Sequence, residues 1–264
     1  MLQHFKRMDL LVLGLAVVLT FFGLAMIASV SVFKSYQLTT SLTGDGYNSF
    51  YLWRSFSHVI IGIVAMVMLS LVPYRLWERW AKLLFFACIG LQMLLLLPGL
   101  SADWGTANSW LRLGPLSLQP SEFLKLTFIM YLSVWLQKRE QLIGTFQEGF
   151  VPFVILLLMS TILVAIEPNI GSFLIFVVIA SVMFFIAGGN LIHLALGGGL
   201  AGLIGLPIIL QKEYIRNRFI AFLFPNDPNI SEGIGFQIKQ ALIAIGSGGI
   251  FGVGYGKSIQ KFGY

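Results

Sequence analysis

LLVLGLAVVLTFFGLAMIASVSVF, residues 10–33, carries no charged side chain over more than twenty positions, and that property decides the fold. At about 1.5 Å per helical residue, such a run crosses a hydrocarbon core of about 30 Å. Working outward, six more runs have the same character: 56–72, 83–100, 120–136, 150–166, 170–187 and 191–210. A bilayer offers no water to satisfy backbone groups, so each run must be a helix, and none alternates like a barrel strand. The predicted fold is an all-α integral membrane protein, one membrane domain over 1–264. A seven-span bundle occupies 10–210, and an extracytoplasmic region over 211–264 carries an amphipathic or re-entrant helix at 236–245.

Composition agrees with this reading. Hydrophobic residues make up 57% and charged residues 11%, with a mean hydropathy of +0.87, whereas soluble domains are about 25% charged. Lys6 and Arg7 before the first run resemble a signal peptide's opening, but the run is too long for an h-region and is read as a retained span. Cys88 stands alone, which excludes a disulfide framework and a cysteine metal site. His4, His58 and His193 are scattered and read as packed or interfacial, so no metal site is predicted. The net charge of +6 is spread over short loops and reports topology rather than a nucleic-acid partner. Lys6, Arg7, Arg75, Arg79, Lys82, Lys138 and Arg139 fall on one side of the predicted membrane, which places the amino terminus in the cytoplasm.

The polar exceptions concentrate in NSWLRLGPLSLQPSEFLK, residues 108–125. Gly114 and Pro115 make a turn, and Pro120 suits the first turn of a helix. Glu122 and Lys125 then share one helical face at the entry to an apolar segment, where charge is costly; a cavity role is favoured over a structural ion pair. Glu167-Pro168-Asn169-Ile170-Gly171 has two open readings, a tight turn or a helix amino terminus facing an anionic ligand. Arg112, Arg216, Arg218 and Lys239 could form a cationic outer rim for a pyrophosphate or another anionic headgroup, although each also suits an interfacial anchor. GVGYGKS, residues 252–258, is not a phosphate-binding P-loop, because Phe251 stands where that motif needs glycine.

Four blocks resemble one family. They are WLRLGPLSLQPSEFLK (110–125), EPNIG (167–171), RFIAFLFP (218–225) and GFQIKQALIAIGSGGIFGVGYGKSIQKFGY (235–264). In this order they resemble the SEDS proteins (FtsW, RodA, SpoVE), membrane glycosyltransferases that polymerise peptidoglycan from lipid II. The QKFGY ending is more similar to the FtsW and SpoVE branch. Two departures stand out. Ser109 occupies the position where the family has arginine, and the family's Q-P-D-x-G appears with its acid moved to Glu167. Family members have ten spans, with a catalytic aspartate in sequence that would follow Tyr264. The resemblance therefore implies that this chain is an amino-terminal fragment holding no catalytic residue of its own.

The resemblance implies that a base takes a proton from the acceptor's 4-hydroxyl while the growing strand's anomeric carbon loses undecaprenyl pyrophosphate. Lys125, Arg112, Arg218 and the helix start at Pro168 and Asn169 would face the pyrophosphate, with Glu167 and Lys239 beside them. Glu122 would orient Lys125, and Gln119 would contact the sugar or headgroup. It implies no cofactor, with a divalent cation left open. The implied partners are lipid II, the nascent glycan strand, a class B penicillin-binding transpeptidase and other division proteins, in the bacterial cytoplasmic membrane at the septum. A lipid II flippase and a non-catalytic division scaffold are the alternatives.

Overall fold

The structure is a computed structural model and describes residues 9–97, 109–113, 116–167, 169–225, 227 and 235–262. It is built of helices α1 (Leu10–Val30), α2 (Val32–Thr43), α3 (Phe50–Ser70), α4 (Tyr74–Met93), α5 (Pro120–Lys138), α6 (Val151–Ile166), α7 (Ile170–Ile186), α8 (Leu191–Leu210), α9 (Glu213–Leu223) and α10 (Phe236–Gly248). Nearly all described residues of the seven apolar runs are helical. By length and composition, four helices among the described residues suffice to cross a membrane: Leu10–Val30, Phe50–Ser70, Tyr74–Leu96 and Phe146–Ile166. Ile170–Ile186 and Leu191–Pro207 are apolar but shorter, and α5 carries Glu122, Lys125 and Lys138.

The local chemistry explains the boundaries. Asp9 caps α1, its Oδ1 accepting from the Leu11 and Val12 amides at 3.0 and 3.2 Å. Pro73 precedes α4 and Pro120 opens α5 at its first turn. Gly44 closes α2 in the left-handed region at φ 81°, where glycine carries no steric cost.

Two boundaries implied by the apolar runs need correction. Residues 34–55 are not a loop, since α2 fills 32–43 and α3 begins at Phe50. The α2 sequence VFKSYQLTTSLT has no apolar run to announce it, being an amphipathic helix. Arg75, Arg79 and Lys82 lie on α4, because the helix starts directly after Pro73. The all-α class holds, with one short hairpin added to it. Strands β1 (Leu111–Leu113) and β2 (Leu116–Leu118) form an antiparallel hairpin with Leu111 opposite Leu118 and Arg112 opposite Ser117. LRL and LSL alternate with period two around a Gly-Pro pair, which is a strand pattern.

The chain divides into two compact units. One is Val72–Leu206, and the other joins Met1–Leu71 to Pro207–Tyr264. The first has a dense core in which Phe85, Leu124, Phe128, Leu132, Phe176 and Phe184 are wholly buried. Phe85 stacks on Tyr131 at 4.9 Å, and Phe150 meets Phe184 edge-on at 6.0 Å, within the range of favourable aromatic pairs. In the second unit α1 packs on α3, and α2 packs on both. Ser35 Oγ there accepts from the Tyr51 amide at 3.3 Å, and Thr39 Oγ1 accepts from the Tyr47 amide at 2.7 Å.

Candidate functional site

In the Val72–Leu206 unit, the hairpin leads directly into α5. Leu111 is buried and anchors β1, while Gln119, in extended conformation, is the residue before the helix. Glu122 lies in the first turn, where the helix dipole favours an acid. Lys125 Nζ donates to Glu122 Oε1 at 2.9 Å; the lysine side chain is 19% exposed and the glutamate 53%. An ion pair this exposed contributes about 0–1 kcal/mol to stability, so holding the helix in place is a weak reason for its presence.

Glu167 sits just beyond the Phe146–Ile166 span, between α6 and α7, and is only 5% exposed. Gln92, wholly buried near the end of α4, donates from Nε2 to Glu167 Oε1 at 2.7 Å. Burial pushes the Glu167 carboxyl up from 4.5 to about 7, against the lowering effect of the Gln92 amide and of the nearby Ser109 hydroxyl. Ser109 Oγ closes no hydrogen bond of normal geometry, and Gln92 Oε1, Glu167 Oε2 and Ser121 Oγ are likewise buried without a partner among the described residues. Asn169 caps α7, its Oδ1 accepting from the Ser172 amide at 3.2 Å. One of the free N–H groups expected at that helix start is therefore already satisfied by the chain itself.

In the other unit a cavity of about 730 Å³ opens between α1, α2, α3 and α10. Lys34, Lys261, Gln237 and Gln240 give it a polar wall, and Ile27, Val30 and Phe236 an apolar one. The glycine-rich tail closes its side. Gly256 N donates to Ser29 Oγ at 2.9 Å, Lys261 Nζ donates to the Gly256 carbonyl, and Phe33 meets Phe262 edge-on at 5.6 Å. Gly252, Gly254 and Gly256 all have positive φ, so the GVGYGKS run is a series of glycine turns.

The structure thus brings Glu122 and Lys125 together with Gln119 on one helix start, and Glu167 and Asn169 onto one turn. Arg218, on α9, and Lys239, on α10, belong to the other unit. The backbone of Arg112 lies in β1; its side chain and Pro168 fall outside the described residues. Gln92 escaped the sequence reading, its one signal being a lone amide inside an apolar run. The cavity residues Lys34 and Lys261 escaped it as well, since neither sits in a charged motif. Among the described residues no group of three or more His, Cys, Asp or Glu could hold a metal ion.

Comparison with known proteins supplies the family. The family model described as "Cell cycle protein", FTSW_RODA_SPOVE, matches residues 9–264. "Stage V sporulation protein E" of Bacillus subtilis is 35% identical over 97% of this chain and 68% of its own length. A "Probable peptidoglycan glycosyltransferase FtsW" of Geobacter sp. is 35% identical over 100% of this chain and 70% of its own. The chain spans about two thirds of the length of these relatives. A solved structure titled "Structural coordination of polymerization and crosslinking by a peptidoglycan synthase complex" aligns with a TM-score of 0.63 at 27% identity, covering 87% of this chain and 66% of that one. The rod shape determining protein RodA of Thermus thermophilus aligns with a TM-score of 0.51 at 20% identity, over 91% of this chain and 89% of its own, and shares the fold. This multi-pass membrane chain belongs to the FtsW/RodA/SpoVE family of cell cycle proteins.

Proposed function

We propose that the chain acts as a peptidoglycan glycosyltransferase that polymerises lipid II during division. The observation that carries this reading is the fold of the 110–125 block, a hairpin that delivers an ion pair to the entry of an otherwise apolar helix. In a lipid-linked transfer, the acceptor's 4-hydroxyl oxygen forms the new bond to the anomeric carbon as the bond to the pyrophosphate oxygen breaks, and the hydroxyl proton passes to a base. Charge accumulates on the departing undecaprenyl pyrophosphate and needs cationic or N–H partners. Lys125 supplies an ammonium, and Glu122 fixes its position. Gln119 offers an amide to the sugar beside it, and Arg112, Glu167 and Asn169 complete the polar set that this unit offers the substrate. The polar face is extracytoplasmic and the amino terminus cytoplasmic. The protein works at the septum in the cytoplasmic membrane with a class B penicillin-binding transpeptidase.

The test uses the complete gene product, purified and given labelled lipid II. Glycan should form, and Lys125→Ala should lower the rate about a hundredfold, the scale of losing one charge-stabilising donor. A normal rate in Lys125→Ala would remove that residue from the mechanism. Movement of lipid II across vesicles without any glycan would establish a flippase instead.

A further inference from the structure

Glu167 is buried, and among the described residues no basic side chain pairs with it. The polar groups that act on its carboxyl are the Gln92 amide and the Ser109 hydroxyl, both neutral. All three side chains are more than nine-tenths buried, Gln92 completely. Yet each keeps an oxygen without a partner: Gln92 Oε1, Ser109 Oγ and Glu167 Oε2. Proteins seldom leave buried polar atoms unpaired, and each such atom calls for a water, an ion or another occupant.

The 2.7 Å bond from Gln92 Nε2 to Glu167 Oε1 fixes where these oxygens lie. In each planar group the second oxygen sits on the same carbon, so Gln92 Oε1 and Glu167 Oε2 flank that bond, and the Ser109 hydroxyl stands beside the same carboxyl. Three segments distant in sequence meet here: the end of α4, the residues before β1, and the turn between α6 and α7. All belong to the Val72–Leu206 unit.

The donor set selects the occupant. The free atoms are all oxygens, the ligands that hard cations take. Their total charge is at most that of one carboxylate. A divalent ion would leave surplus positive charge buried, whereas a monovalent ion leaves none. Water would satisfy hydrogen bonds without answering the charge. A proton would remove the charge, but burial raises the Glu167 carboxyl only to about 7, so it ionises above that pH. A monovalent cation then answers both demands.

We propose that Gln92, Ser109 and Glu167 form a binding site for an alkali-metal cation, held by Gln92 Oε1, Ser109 Oγ and Glu167 Oε2. Water or backbone carbonyls supply its remaining ligands. The ion ties the end of α4 and the root of the hairpin to the turn that starts α7. The site can be measured without turnover, so it stands or falls apart from the reading under Proposed function.

The experiment uses the complete gene product in detergent at about pH 8, where Glu167 is ionised, with sodium chloride replacing choline chloride at constant ionic strength. Melting temperature should rise with sodium and saturate, by about 3 °C at a tenfold excess over Kd. Radioactive sodium should bind at a single site per chain and should withstand magnesium at the same ionic strength. Glu167→Gln, which keeps the shape and removes the charge, should abolish both signals. Ser109→Ala, which removes one neutral ligand, should raise the sodium Kd about tenfold. A wild-type melting temperature indifferent to the exchange of choline for sodium would overturn the site and leave water or a proton as the occupant. Sodium binding undiminished in Glu167→Gln would place the ion elsewhere, and displacement by magnesium would refute the match to a single charge. If Glu167→Gln does not fold, the Ser109→Ala titration decides, and an unchanged Kd there overturns the site.

Discussion

The two units solve the same problem differently. In Val72–Leu206 apolar side chains meet one another: 44% of the most apolar 18-residue stretch of Phe146–Ile166 and 28% of that of Tyr74–Leu96 are buried within the protein. In the other unit the corresponding stretches of Leu10–Val30 and Phe50–Ser70 hold no buried residue, and Leu11, Phe22, Ile61 and Met68 are all more than half exposed. A helix can gain nothing by excluding lipid from Leu, because lipid is as apolar as Leu; it gains by close packing and polar contacts. The first unit is held by interlocked aromatics, and the second by single hydrogen bonds such as Ser29 with Gly256 and Ser35 with Tyr51. One is a scaffold whose shape is set from inside, while the other leaves its surfaces to be completed by what surrounds them.

That contrast can be broken by substitution. Phe128→Ala, at a wholly buried site, should cost about 3 kcal/mol, whereas Phe22→Ala on α1 should cost well under 1; denaturant titration in detergent would compare them. Equal losses would mean that the second unit has a core of its own.

Glu167 gives the next largest effect. Its folded pKa, about 7, lies above its unfolded value of 4.5, so its stabilising contribution is fully present below pH 4.5 and lost as pH rises through 7. The total is on the order of 3 kcal/mol. Melting temperature should therefore decline across pH 4.5 to 7 in the wild type, and this component should vanish in Glu167→Gln. A wild-type slope retained in full by that variant would assign it to another group.

Glycines sharpen the comparison at smaller scale. A Cβ at Gly149 would fall 2.3 Å from the Ile143 carbonyl oxygen, so Gly149→Ala should cost about 1–3 kcal/mol. Gly62→Ala, facing open space, should change stability by less than about 0.5 kcal/mol. The smallest effect on stability belongs to Glu122→Ala, under about 1 kcal/mol by thermal melting, although the proposed function requires a clear loss of polymerisation.

Much of this architecture was legible in the sequence, and the remainder has identifiable causes. The described residues of the seven apolar runs are helical almost throughout because a bilayer allows no other choice for them. The Glu122–Lys125 contact followed from spacing alone, since residues three apart on a helix are neighbours. The hairpin was written in the alternation of LRL and LSL, but it was overshadowed by the larger apolar signal. Helix α2 had no such signal, being polar on one face. The Gln92–Glu167 bond joins residues 75 positions apart, and which helices pack to bring them together is decided by the Phe85, Phe128 and Phe176 contacts rather than by any local pattern. Lys34 and Lys261 likewise converge only through the fold of the glycine-rich tail.

The cap at Asp9 has a mechanical corollary. With Asp9 fixing one end of α1 and the break at Ser31 fixing the other, its 21 residues form a rod of about 31 Å, close to the thickness of an ordinary hydrocarbon core. A rod of set length in a thinner leaflet pair must lean, and lipid composition thereby becomes a handle on the angle at which α1 meets its neighbours.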